Sequence, residues 1–185
     1  MIVFEKPGVD NTRETLRIAL ERAKRDGLNT VSATTDGLSG AALIEAANKA
    51  AYHGRLVIVT HAYGSKQPGK NALPESMRAQ WIAKGVRVVT AAHALSGVER
   101  GLSGAFHGIY PAELIANSLR MLSQGIKVVV EIGCMALDAG AIAHGKPIVC
   151  MGGTAHGLDT AVVMTAAHAN NILETRVHEI LCKPY

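Results

Sequence analysis

Four apolar runs in this chain each end in a cluster of small polar residues, glycines and histidines. Leu28–Ala33 passes into Thr34-Thr35-Asp36-Gly37-Leu38-Ser39-Gly40, and Leu56–Val59 into Thr60-His61-Ala62-Tyr63-Gly64. Val86–Ala91 passes into Ala92-His93-Ala94-Leu95-Ser96-Gly97-Val98-Glu99-Arg100, and Ile148–Met151 into Gly152-Gly153-Thr154-Ala155-His156-Gly157-Leu158-Asp159-Thr160. Short apolar runs bounded by turn residues, with helical patterns between them, read as buried strands of a parallel sheet. Parallel strands present their carboxyl ends at one edge, and ligands bind in the crevice beyond it. The four clusters therefore predict one composite site in an α/β chain.

The 185 residues suit a single domain, 1–185. Hydrophobic residues make up 48% and aromatic residues only 4%. The core must then be built from Ala, Val, Ile and Leu, which fits closely packed α/β layers. A formal charge of +4 comes with no basic run and no basic patch interleaved with aromatics, so nucleic acid is not expected as a partner. The mild positive balance leaves room for a small anionic ligand. Cys134, Cys150 and Cys182 lie in apolar segments without Cys-x-x-Cys spacing, which predicts buried, reduced thiols and a cytoplasmic setting. No charged-then-apolar leader opens the chain, so no secretory signal is expected. The most apolar stretch, 126–143, is interrupted by Lys127, Glu131 and Asp138, which argues against a membrane span.

Helical spacing of Leu16, Ala19, Leu20 and Ala23 predicts a first helix that starts near Asp10-Asn11-Thr12 and stops at Gly27. Further helices are predicted from about Ser39 to Tyr52, from Pro74 to about Lys84, and from Pro111 to about Leu122. The glycine-rich stretch 94–110 reads as irregular. Segment 125–139 is ambiguous. Val128-Val129-Val130 favours a strand, but the length and the absence of a turn signal favour a helix. Leu158–Thr165 is predicted as a strand antiparallel to its predecessor, and Thr175–Cys182 as a last edge strand.

At Thr34–Gly40, a strand, a loop with two glycines and a helix start make a potential anion site, because the first N–H groups of a helix lack internal partners. Thr34, Thr35 and Ser39 add hydroxyl donors, and Gly37 and Gly40 offer close backbone approach. Ordinary capping by Ser39 is the competing reading. His61 and His93 on adjacent strand ends read as neutral imidazoles contacting a ligand. The histidines lack the short spacing of a metal site, so no metal is expected. Glu99 is placed to orient His93 or Arg100, and Arg100 to hold an anionic group; a structural ion pair is the alternative. Gly153 and Thr154 present a backbone edge suited to a flat heterocycle. Asp159, followed by Thr160, can bind sugar or ribityl hydroxyls, act as a base, or cap the turn. No Gly-x-Ser-x-Gly elbow is present, and no nucleophile is assigned.

The runs Val59-Thr60-His61 with Gly64, His93-Ala94-Leu95-Ser96-Gly97-Val98-Glu99-Arg100, Leu119-Arg120-Met121 with Ser123-Gln124-Gly125, and Gly152-Gly153-Thr154 with Asp159-Thr160-Ala161 carry a resemblance over essentially the whole chain. It resembles archaeal and bacterial proteins that share the fold of the pyruvate kinase C-terminal domain. Ala92 departs from that pattern, in which Thr is expected before the histidine. The resemblance implies a three-layer α/β/α sandwich with a mostly parallel, mixed sheet. It also implies a phosphate site in the loop after the first predicted strand, here Thr34–Gly40. Some members carry flavin mononucleotide (FMN), so the resemblance implies FMN as cofactor. In that expectation the phosphate lies on Thr34, Thr35, Gly37, Ser39 and Gly40. The rest of the flavin lies along His61, Gly64, His93, Ser96, Gly97, Arg100, Gly153, Thr154, Asp159 and Thr160. The alternatives are a regulatory module for a phosphorylated metabolite and an acid–base enzyme acting on a sugar phosphate. A homo-oligomer is also expected.

Overall fold

A computed structural model describes residues 1–185. In chain order the strands are β1 (Ile2–Phe4), β2 (Asn29–Ala33), β3 (Leu56–Thr60), β4 (Arg87–Thr90), β5 (Ile148–Gly152), β6 (Thr160–Thr165) and β7 (Arg176–Pro184). The α-helices are α1 (Thr12–Asp26), α2 (Leu38–Lys49), α3 (Glu75–Ala83), α4 (Gly97–Phe106), α5 (Pro111–Arg120) and α6 (Gln124–Asp138). The strands form one sheet in the order β1-β7-β6-β5-β2-β3-β4. Only β6 runs against the others, pairing antiparallel with both β5 and β7.

Side-chain alternation shows why helices cover both faces. Along β5, Val149 and Met151 point into one core with Leu16 of α1, Leu43 of α2 and Trp81 of α3. Ile148 and Cys150 point into the other, with Ile126, Val129 and Met135 of α6. Strands buried on both faces need apolar residues at every position, as in a parallel sheet. Segment 125–139 is a helix, α6, and it lies buried along most of its length. Ser123 caps it, its Oγ accepting from Ile126 N at 3.1 Å. No helix is long and apolar enough to cross a membrane.

Three expectations change. The stretch 94–110 is not irregular throughout, because α4 occupies 97–106 and is tied to α5 by Ser103 Oγ donating to Glu113 at 2.7 Å. The last strand is not an edge: β1 pairs in parallel with β7 and takes the edge itself. Pro74 precedes α3 as its cap, with extended ψ of 135°, rather than opening it.

β3 lies on one side of β2 and β5 on the other. Such a reversal of strand order opens a crevice at the carboxyl edge. The ends of β2, β3, β4 and β5, which are consecutive in the sheet, bring the four polar clusters to that edge.

Candidate functional site

A cleft of about 380 Å³ opens at this edge, lined by residues of all four clusters. Thr34, Thr35 and Ser39 come from beyond β2, His61 from beyond β3, His93 from beyond β4, and Gly153 and His156 from beyond β5. The opposite wall is one face of α6: Gln124, Val128, Glu131, Ile132 and Met135. One side of the cleft is thus polar and the other largely apolar. A second basin of about 490 Å³ adjoins it, lined by Ser65, Ser96, Gly97 and Arg100. His61, His93 and Lys66 line both.

The two imidazoles face each other with centroids 5.1 Å apart and planes tilted by 31°. His61 Nε2 lies 3.3 Å from Thr35 Oγ1, and His93 Nε2 accepts a long 3.4 Å bond from Ala62 N. Burial holds both rings below the usual histidine pKa. For His61 the neighbouring His93 and Lys66 act in the same direction; for His93 nearby Glu131 opposes the shift. Both are therefore neutral bases near pH 7.

Behind them α6 carries Lys127 and Glu131, paired at 2.5 Å. The other oxygen of Glu131 accepts from Leu95 N at 3.0 Å. The carboxylate thus ties α6 to the loop that carries His93. In the sequence these two charges count against a membrane span, and Glu131 shares with Met135 and Asp138 the face that favours a helix. Two opposite charges at i and i+4 in an otherwise apolar helix were a legible sign of a buried pair.

The loop after β2 is more self-contained than expected. Thr34 Oγ1 accepts from Gly37 N at 3.1 Å and Gly40 N at 3.4 Å and lies within hydrogen-bond distance, 3.1 Å, of Ser39 Oγ. Asp36 Oδ1 accepts from Leu38 N at 3.1 Å, and its other oxygen is 3.0 Å from His156 Nδ1. Burial alone would raise the Asp36 pKa, but the Leu38 N–H and His156 outweigh it and keep the carboxyl below its usual value. An acid of the loop itself therefore faces the positive end of α2. Gly37 and Gly40 do not offer backbone to the cleft. A Cβ on Gly40 would lie 2.9 Å from Trp81 Cζ3, and one on Gly37 2.9 Å from Leu73 Cδ1. Gly37 also holds a φ of +104°, which other residues rarely adopt. Ser39 is not the N-cap; its hydroxyl donates to Ala33 O at 2.9 Å.

Other positions fall outside the cleft. Gly64 sits in the turn after β3, its N–H bonded to Lys70 O at 2.9 Å. Asp159 and Thr160 are fully buried. Asp159 accepts from Gly8 N at 3.0 Å, Thr154 N at 3.2 Å and Thr160 Oγ1 at 2.9 Å, so its carboxylate ties the loop after β5 to the N-terminal segment. Glu99 orients neither His93 nor Arg100: it accepts from Ala112 N at 2.7 Å and Glu113 N at 3.3 Å, satisfying the start of α5. Thr154 Oγ1, beside the cleft-lining Gly153, is the one buried side-chain oxygen or nitrogen without a partner. No known family model matches the chain.

Proposed function

We propose that this protein binds FMN, as a member of a family with the pyruvate kinase C-terminal domain-like fold. The observation that carries the reading is the two-sidedness of the cleft. The α6 wall sets Val128, Ile132 and Met135, with Gln124 and Glu131 among them, against hydrogen-bonding groups on Thr35, His61, His93 and the Gly153 backbone. Such a slot suits a flat heterocycle that is apolar on its faces and polar at its edges. Lys66 and Arg100 put two cations on the adjoining basin, so the phosphate is assigned there rather than to the loop of Asp36. When bound, the flavin supplies redox chemistry, and the chain supplies orientation and electrostatic surroundings.

The test is a fluorescence titration with FMN and with riboflavin. Tight, saturable binding of FMN, weaker binding of riboflavin, and loss of the difference in Lys66→Gln with Arg100→Gln are expected. No saturable binding of either overturns the flavin reading. The same basin also supports the regulatory or acid–base reading for a phosphorylated metabolite, and a panel of sugar phosphates is then the next probe. Self-association is proposed as well, supported by Val98, Leu102 and Phe106, which recur at helical spacing on α4 and stay exposed. Light scattering that returns a monomer mass at all concentrations overturns it.

A further inference from the structure

We infer that His61 and His93 form the oxyanion-recognising element of the cleft and take up a proton as an anionic group of the ligand enters. The inference rests on the cleft being the site of a phosphorylated ligand, and it selects phosphomonoesters over their uncharged parents.

Position comes first. With Lys66, these two rings are the side chains common to the main cleft and the adjoining basin, so a ligand that spans both passes over them. Their bonding comes second. Ala62 N donates to His93 Nε2 over a long 3.4 Å, which leaves the ring proton on Nδ1, so His93 gains a second proton only by giving up that bond. Thr35 Oγ1 can donate to or accept from His61 Nε2, so that contact survives a change of charge.

The charges around the pair decide the sign. From the loop after β3 comes Lys66, from α4 Arg100, and from α6 Lys127 and Glu131. The lone acid, Glu131, is already paired with Lys127 and bonded to Leu95 N. The pair is thus kept neutral by burial and by an excess of cations. An oxyanion beside the two rings reverses that balance, because an opposite charge within a few ångströms favours the charged imidazole. Binding then draws a proton from solvent, and by linkage affinity rises as pH falls.

The experiment is a pH titration of the histidine ring protons by NMR, with resonances assigned by His61→Asn and His93→Asn. It is run on the protein alone, with sulfate, and with FMN. Sulfate keeps its charge throughout the range, so any shift belongs to the protein. The expected result is an upward move of at least one of the two midpoints with either anion. Calorimetry of FMN binding in buffers of different ionisation enthalpy should also show net proton uptake that riboflavin lacks. In the pH range above the pair's midpoint, FMN affinity should fall by up to about tenfold per pH unit. FMN binding with unmoved midpoints overturns the inference and leaves the flavin reading standing. A response to sulfate without FMN binding supports the oxyanion element and removes the flavin. Silence toward both anions overturns both.

Discussion

Lys127 and Glu131, one turn apart on α6, hold an ion pair of 2.5 Å with side chains only 6% and 5% exposed. Burial lowers the Lys127 pKa, and the Glu131 charge opposes that shift. Two charges out of water are tolerated because each answers the other and Leu95 N satisfies the second carboxylate oxygen. Lys127→Met strands a buried carboxylate and is expected to cost about 3–5 kcal/mol. Lys127→Met combined with Glu131→Leu should cost clearly less than that single change, since no unpaired charge remains. Urea unfolding of the wild type, Lys127→Met, Glu131→Leu and the double variant reads this out. A double variant as unstable as the sum of the singles would show that the two charges do not depend on each other.

Gly40 carries a second expectation. Its missing side chain is filled by Trp81, whose Cζ3 would lie 2.9 Å from an added Cβ, with Ile58 Cδ1 at 3.2 Å. Gly40→Ala therefore overpacks the contact between α2 and α3 and should destabilise by about 1–3 kcal/mol. Trp81→Phe makes room, so Gly40→Ala should cost less in that background. If Gly40→Ala is neutral for stability yet weakens FMN binding, the glycine serves the ligand and not the core.

The histidine pair makes stability depend on pH. Burial makes His61 and His93 titrate below the usual histidine value in the folded protein. Between the folded and unfolded values the unfolded chain binds more protons, so stability rises with pH there. Acidification through about 6.5 should weaken the protein progressively, and the loss should level off below the folded midpoints. Other groups titrate too, so the reading is the difference between the wild type and the His61→Asn/His93→Asn variant across pH 5 to 8. A difference that does not change with pH, or that changes in the opposite sense, would sink the argument.

How far the sequence reaches is visible in these same residues. The strands β2 to β5 were legible because each is an apolar run ended by turn residues, and the shared edge followed from parallel pairing. α6 was legible as a helix through its length and unbroken pattern. β1 was not, being three mostly exposed residues that depend on β7 for their bonds. α4 was hidden by its three glycines, Gly97, Gly101 and Gly104; what supports it is contact with the next helix, in the Ser103–Glu113 bond and in Glu99 at the start of α5. Among the site residues, His61 and His93 could be placed on adjacent strands from order alone. The partners of Thr34, Asp36, Glu99 and Asp159 could not, because a polar side chain at a loop reads the same whether it faces a ligand or a backbone N–H.

The cysteines test the buried reading of the core. Burial, the leading cause for each, raises the Cys134 thiol to about 12 and Cys182 to about 11, and raises Cys150 as well. Thiols held so far above neutral pH react slowly, since the thiolate is the nucleophile. Native protein should show almost no thiol modification by a disulfide reagent over minutes, while unfolded protein shows all three. Rapid modification of one site in the native state would mean that its segment opens locally.

Asp159 separates a tie from a ligand contact. Its carboxylate, fully buried, accepts from Gly8 N and Thr154 N and so joins the N-terminal segment to the loop after β5. Leu158 N donating to Thr12 Oγ1 at 3.1 Å joins the same two segments. Asp159→Ala removes the one oxygen, Oδ2, that accepts from both Gly8 N and Thr154 N, and leaves both unpaired. A cost of about 1–3 kcal/mol is expected. Local opening should accompany it, seen as faster amide exchange at Gly8 and Thr154 while the core strands keep their protection. FMN affinity should change little wherever the variant remains folded, because Asp159 has no surface on the cleft. Unchanged stability with lost binding would instead give Asp159 to the ligand.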